Sequence, residues 1–328
     1  MRLRITFNKI IAAAIASAAI AAPAAWAQGA PKPTEIRLDY ATYNPLSLVL
    51  KERKILEDSL AADKINVRWV LSLGSNKALE FLNAGGIDLG STAGAAALLG
   101  AINGNPIKSV YVYSRPEWTA LVTRADTGIT KVEDLKAKRI AVTRGTDPYI
   151  FLLQALALKG LGEKDVTLVL LQHQDGRLAL ERGDVDAWAG LDPMMAQAEV
   201  GGAKLFHRDA ALNTWGVLNV RTAFAKEQPE LVSKVIAAYE TARIWAKENP
   251  AELAKLLETY AKIDAPVAAL QITRTDLKGG AIGQPQLQTI EAAGLALQKA
   301  GVIDAKVDVK AVTAALIDSS FTGSLTGY

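Results

Sequence analysis

The chain has 328 residues, enough for two domains, with 37 basic residues, 34 acidic residues, two histidines and no cysteine. Half of the residues are hydrophobic and 22% are charged, a globular composition that excludes extensive disorder. The lack of cysteine excludes disulfides, thiol chemistry and Cys-ligated metals, and the near balance of charge, with no basic run interleaved with aromatics, excludes a nucleic-acid surface.

Residues 1–27 read as a secretory signal peptide. Arg2, Arg4 and Lys9 come first with no acid, an apolar Ala-rich run follows, and Ala25-Trp26-Ala27 forms the cleavage site. The apolar run is too short for a bilayer core, which takes about 20 residues. Three of the 37 basic residues lie in this segment, so 34 basic residues face 34 acidic ones in the rest. A mature chain starting at Gln28, without the N-terminal Cys that takes a lipid anchor, is expected to be freely soluble in the periplasm.

Residues 34–41 alternate apolar and polar side chains and predict the first strand. Tyr43-Asn44-Pro45 is the loop after it, residues 46–60 predict an amphipathic helix, and residues 65–71 a second strand. Gly74-Ser75-Asn76 then opens a helix whose apolar stripe is Ala78, Leu79 and Leu82. Gly85-Gly86 stops it. Residues 87–89 predict a short strand, and Gly90-Ser91-Thr92-Ala93-Gly94 a loop into the next helix. Strands follow at 107–113, 118–123 and 139–143. Gly145-Thr146-Asp147-Pro148-Tyr149 is the loop into a helix over 150–159, and a strand over 166–171 leads to Gln172-His173.

Residues 180–186, LERGDVD, match residues 82–88, LNAGGID: a helix, a Gly stop, and a short strand with an Asp. The repeated strand–helix–strand unit predicts two similar α/β lobes, each offering helix starts to a shared cleft. The second copy runs on through Trp188 and Gly190-Leu191-Asp192-Pro193, and strands are predicted at 203–207 and 214–220. The remainder is almost wholly helical: 230–247, 251–260, 266–275, 284–299 and 309–317. Such a tail has no sheet of its own, so it is expected to pack on the first lobe. The expected division is lobe one over 28–123 and 217–328, lobe two over 124–216, and a hinge of two crossings.

The helix starts at Ser75-Asn76, Ser91-Thr92 and Thr146 carry unpaired N–H groups and partial positive charge, which bind an anion without Lys or Arg. Ser and Thr there also serve as ordinary N-caps. Asp147 and Asp192 each precede Pro, the pattern of a capped helix start. Asp147 faces the cleft and also suits an amine beside the ligand's anionic group. Asp88 and Asp186 are read as fixing strand–loop geometry, Trp188 as core, and Tyr43 and Trp215 as aromatic walls of the cleft. No G-x-S-x-G, H-E-x-x-H, Walker A or G-x-G-x-x-G motif occurs. His173 and His207 lie in different elements, so no metal, cofactor or catalytic group is expected.

The segments GSNKALEFLNAGGIDLGSTAG, RGTDPYIFLLQALALKGL and ERGDVDAWAGLDP resemble the periplasmic aliphatic sulfonate-, taurine- and nitrate-type solute-binding proteins of ABC importers. The resemblance covers essentially the whole mature chain. It implies a type II periplasmic-binding fold, α/β, with a ligand cleft between two lobes. It also implies capture of a small anionic organic solute by lobe closure, delivery to a membrane-embedded ABC permease, and a monomer. In such proteins the ligand is held by segments that correspond here to Tyr43-Asn44, Gly74-Ser75-Asn76, Ser91-Thr92, Thr146-Asp147 and Gly190-Leu191-Asp192. This chain has Leu191 where an aromatic often precedes the Asp-Pro, and Asp147-Pro148-Tyr149 where a hydroxyl-rich loop is usual. The alternatives are a same-fold enzyme or precursor-binding protein of thiamine pyrimidine metabolism and a solute sensor for a signalling partner.

Overall fold

The protein, as a computed structural model, is described over residues 31–115, 117–323 and 325; the expected signal peptide lies outside them. The first stretch is β1 Glu35–Tyr40, α1 Pro45–Glu52, α2 Ile55–Leu60, β2 Asn66–Leu71, α3 Ser75–Asn83, β3 Leu89–Ala93, α4 Gly94–Ile102 and β4 Ile107–Ser114. The second is β5 Thr119–Thr123, β6 Arg139–Val142, α5 Asp147–Leu158, β7 Thr167–Leu170, α6 His173–Arg182, β8 Ala187–Leu191, α7 Met194–Val200 and β9 Lys204–His207. The chain returns as β10 Gly216–Arg221 and ends in α8 Thr222–Glu227, α9 Pro229–Glu248, α10 Pro250–Ala261, α11 Ala265–Arg274, α12 Gln284–Lys299 and α13 Val309–Leu316.

The strands form two five-stranded sheets, ordered β2-β1-β3-β10-β4 and β7-β6-β8-β5-β9. Each has a parallel half, followed by one strand that comes from the other end of the chain's path and pairs antiparallel. The same register recurs, Leu38↔Leu89 in the first sheet and Ile140↔Ala187 in the second. Helices cover both faces, so the inner strands β3 and β8 are buried at every position.

Three expectations differ in position. Residues 118–123, expected in the first lobe, form β5, which pairs with β8 and β9, so the chain changes sheet between Ser114 and Thr119. The single helix over 46–60 is two helices, broken where Lys54 takes the left-handed conformation at φ 52°. The strand after Asp88 runs to Ala93, so Ser91 and Thr92 lie inside β3 and not at a helix start. Small residues are needed there because helices press on both faces. A Cβ on Gly90 would come within 2.8 Å of Ile87 Cδ1, and one on Gly94 within 2.5 Å of Ile290 Cδ1.

The helical tail packs on the first sheet through α9 against α1, α2 and β4, and through α13 against α4 and β4. It also reaches the second lobe, where α11 packs on α7 and α12 on both α4 and α5. Arg274, at the end of α11, pairs with Asp192 at 3.3 Å and with Glu199. The apolar core runs continuously from Leu98 through Ile290 and Leu297 to Phe151.

Candidate functional site

The ends of β1, β2, β6 and β7 point to the seam between the sheets, where open α/β sheets bind ligands. Helices α3 and α5 begin there. Neither has a side-chain cap, so their first-turn N–H groups are not covered by a side chain. The two starts lie together: a Cβ on Gly145 would sit 3.7 Å from Asn76 Cβ. Between them is an inner cavity lined by Tyr43, Ser75, Ala93, Tyr113, Trp118, Thr146, Asp147, Pro148 and Leu191. It encloses about 10 Å3, the space of about one water, and among the described residues no Lys or Arg lines it.

Most hydroxyls around this cavity point their protons into the protein. Tyr43 donates to the Ser91 carbonyl at 3.0 Å, Tyr113 to the Thr92 carbonyl at 3.3 Å, and Thr146 to the Thr143 carbonyl at 2.6 Å. Ser75 differs. Its Oγ accepts from the Ala93 N–H at 3.0 Å, which leaves its proton to give. The donors offered to an anion are therefore this hydroxyl and the opening amides of α3 and α5.

Asp147 is committed to the hinge. Its Oδ2 accepts from Trp118 Nε1 at 3.1 Å and from the Thr214 N–H at 3.2 Å, and its Oδ1 from the Thr214 hydroxyl. Burial pushes this carboxyl up to about 6 in spite of those bonds, which favour the ionised form. The Thr214 hydroxyl in turn accepts from Ala95 N–H, and the Thr214 and Trp215 carbonyls accept from Gly94 N–H. The start of α4 is thereby closed by the returning crossing. Asn213 Oδ1 takes the N–H groups of Trp118 and Thr119, so the two crossings are tied to each other as well.

Of the residues expected at the site, Tyr43, Ser75, Thr146, Asp147 and Leu191 come together at the inner cavity. Gly74 lies behind them against the His173 ring, and Asn76 lines a separate groove. The others face elsewhere. Asn44 caps α1 through Ser47 N–H and donates to the Tyr239 hydroxyl. Ser91, buried in β3, gives its hydroxyl to Asp39 Oδ2 at 2.8 Å and its N–H to Asp39 Oδ1 at 2.9 Å. Burial raises Asp39 to about 7. Thr92 donates to the Ala93 carbonyl and accepts from Asn219. The Gly190 carbonyl accepts from the Thr119 hydroxyl. Asp192 accepts from Ala196 N–H at 2.9 Å and from Arg274. Trp215 stacks under Arg115 at 4.9 Å and bonds Thr289, so it is no wall of this cavity.

Sequence reading missed Tyr113 and Trp118 as lining residues. Both belong to strand ends that only the pairing of distant strands brings to the seam. It also gave His173 little weight, although its place after a strand end was a signal. The ring is buried, and neither nitrogen has a hydrogen-bond partner among the described residues. Burial holds this imidazole neutral, with its pKa lowered to about 3.

Comparison with known proteins finds relatives named as binding proteins. A Bacillus subtilis (strain 168) protein named for binding aliphatic sulfonates is 27% identical over 292 residues, 88% of this chain and 86% of its own. An Escherichia coli (strain K12) protein named in the same way is 28% identical over 72% of this chain and 75% of its own. Among solved structures, the alkanesulfonate-binding protein of Xanthomonas axonopodis pv. citri, bound to MOPS, superposes with a TM-score of 0.79. It is 22% identical, over 88% of this chain and 99% of its own, and so shares the periplasmic-binding fold. Residues 61–253, more than half of the chain, match the family described as NMT1/THI5 like, and the chain belongs to that family.

Proposed function

We propose that this protein is the periplasmic substrate-binding component of an ABC importer, and that it captures a small anionic organic solute, an aliphatic sulfonate or a taurine-like one, as its lobes close. The observation that carries this reading is the meeting of two helix starts without side-chain caps, α3 and α5, at one buried cavity with no Lys or Arg. The Ser75 hydroxyl and the opening amides of both helices hold the anionic head, and Tyr43, Tyr113, Trp118 and Leu191 enclose it. Asn44, Ser91, Thr92, Gly190 and Asp192 support these walls from behind, Asp147 sets the closed hinge, and Trp215 braces the returning crossing. An inner cavity of about 10 Å3 has no room for a sulfonate, so the lobes part to admit the solute. The second lobe comprises β5 to β9 and their helices. The relatives named for binding aliphatic sulfonates support this assignment, and the protein acts as a receptor, without turnover, for a membrane-embedded permease.

A thermal-shift screen of the purified protein against ethanesulfonate, taurine, hexanesulfonate and nitrate tests this. A sulfonate at 100 times its dissociation constant is expected to stabilise the fold by about 2.7 kcal/mol. No shift with any sulfonate, or product released from a bound one, overturns it. The export reading has its own test. N-terminal sequencing of the periplasmic protein is expected to start at Gln28, and an intact Met1 on the soluble protein contradicts it.

A further inference from the structure

The inner cavity adjoins a second chamber. It holds about 240 Å3 and shares Tyr43 with the inner cavity. A larger groove of about 600 Å3 lies on the other side of the same helix starts, lined by Asn76, Arg144 and Gly145, and shares no lining residue with the inner cavity. The chamber is built by both lobes and the tail: Leu71 and Leu73 at the end of β2, His173 at the start of α6, Met194 at the start of α7, and Ile263 after α10. Its walls are mostly apolar, and Leu73 is 59% exposed, an apolar side chain with little of the protein covering it.

Polar side chains also line it, Gln172, Gln174 and Gln197 among them, and His173 is the one aromatic heterocycle of the set. His173 is 1% exposed, and neither of its ring nitrogens has a partner among the described residues. Gln172 Oε1 beside it is also buried without a partner. Buried polar atoms are ordinarily paired, so these are groups left for something to bind. The ring edge lies against Gly74, where a Cβ would sit 3.1 Å from His173 Nε2; with φ at +150°, that position suits only glycine. The imidazole is thus fixed at the mouth of the anion-binding helix start and offers one donor and one acceptor.

We propose that the chamber beyond Tyr43 takes the organic tail of the solute, and that His173 hydrogen-bonds a polar atom on that tail. This rests on the sulfonate reading and narrows it. The head group sits at the starts of α3 and α5, and the solute is a sulfonate with an apolar or aromatic body carrying a hydroxyl, ether or carbonyl. Taurine and ethanesulfonate are too short to reach the chamber. Burial keeps the imidazole neutral, which suits it to a neutral polar atom and not to a second anion.

Calorimetry on the purified protein with four probes tests the proposal. Hexanesulfonate is expected to bind at least about tenfold more tightly than ethanesulfonate, because its extra methylenes leave water. Leu73→Asn, an uncharged change at an exposed position that leaves the fold intact, is expected to remove most of that advantage and to leave ethanesulfonate within about twofold. 4-Hydroxybenzenesulfonate is expected to bind about tenfold more tightly than benzenesulfonate in the native protein and equally in His173→Phe. Equal binding of hexane- and ethanesulfonate, or an advantage that survives Leu73→Asn, overturns the chamber while leaving the sulfonate reading standing. A hydroxyl preference that survives His173→Phe overturns the role of His173. If none of the four probes binds, the sulfonate reading itself fails, and the chamber with it.

Discussion

The two sheets solve one problem twice, with different degrees of burial. In the first, Asp88 Oδ2 accepts from the Arg37 N–H at 2.9 Å, and the Arg37 guanidinium reaches the Gly85 carbonyl at 2.6 Å. In the second, Asp186 Oδ2 accepts from the Arg139 N–H at 2.8 Å, and the Arg139 guanidinium reaches the Gly183 carbonyl at 3.2 Å. Each clasp ties a helix end and the next strand to the first parallel strand of its sheet. Asp88, however, is 3% exposed and also pairs with Arg221 of β10, whereas Asp186 is 29% exposed and among the described residues pairs only with Arg139. The repeated backbone unit fixes where the clasp sits, and the added antiparallel strand with its cation decides how much it contributes.

The largest effect expected from this contrast is at Asp88. Asp88→Ala leaves two guanidinium groups and the Arg37 N–H without their anion in a largely dry site, at a cost of about 3–5 kcal/mol. Asp186→Ala breaks a half-exposed pair and one backbone bond and is expected to cost about 1 kcal/mol. Urea unfolding at equal m-value measures both. Equal losses would mean that burial and Arg221 add nothing to the shared clasp.

A second contrast concerns the hinge acid of the second lobe, Asp147. Its carboxyl titrates near 6 in the fold and near 3.8 when unfolded, so the folded state binds more protons between those values. Its contribution to stability is therefore lost as pH rises from about 4 through 6. Asp147→Asn keeps an acceptor for Trp118 or Thr214 and removes the titration. Relative to the native protein, the variant is expected to gain on the order of 1 kcal/mol between pH 5 and pH 7.5, read as a few degrees in melting temperature. A pH-independent difference would show that the carboxylate stays ionised across that range and that the hinge bonds outweigh its burial.

How much of this was legible in the sequence follows from the kind of contact involved. The repeat, the Gly stops and the tail helices were readable because local rules govern them; α12 spans Gln284–Lys299 as its periodicity predicts. Strand β3 was not, because Leu-Gly-Ser-Thr-Ala carries turn-like residues that the close helices require. Of the cavity walls, Tyr43 and Ser75 follow their strand or open their helix and were found. Tyr113 and Trp118 depend on how distant strands pair, and Thr214 on which loop covers the start of α4. Nothing local records those choices.

The smallest expected effect tests the deepest difference between the sheets. By the shared register, Asp39 and Ser91 of the first sheet correspond to Ala141 and Ala189 of the second, a buried polar pair against two methyl groups. If Asp39 and Ser91 form a closed unit, Ser91→Ala deprives the Asp39 carboxyl of one donor, and Asp39→Ala strands a hydroxyl and an N–H. Each single change is expected to cost about 1–3 kcal/mol. The double change, which rebuilds the second sheet's solution, is expected to cost less than the sum by about 1 kcal/mol, the coupling typical of residues in contact. Ser91 faces Asp39 and not the inner cavity, so Ser91→Ala is expected to leave hexanesulfonate affinity within about threefold. Additive losses would show that the pair is not a unit, and a larger fall in affinity would return Ser91 to the ligand.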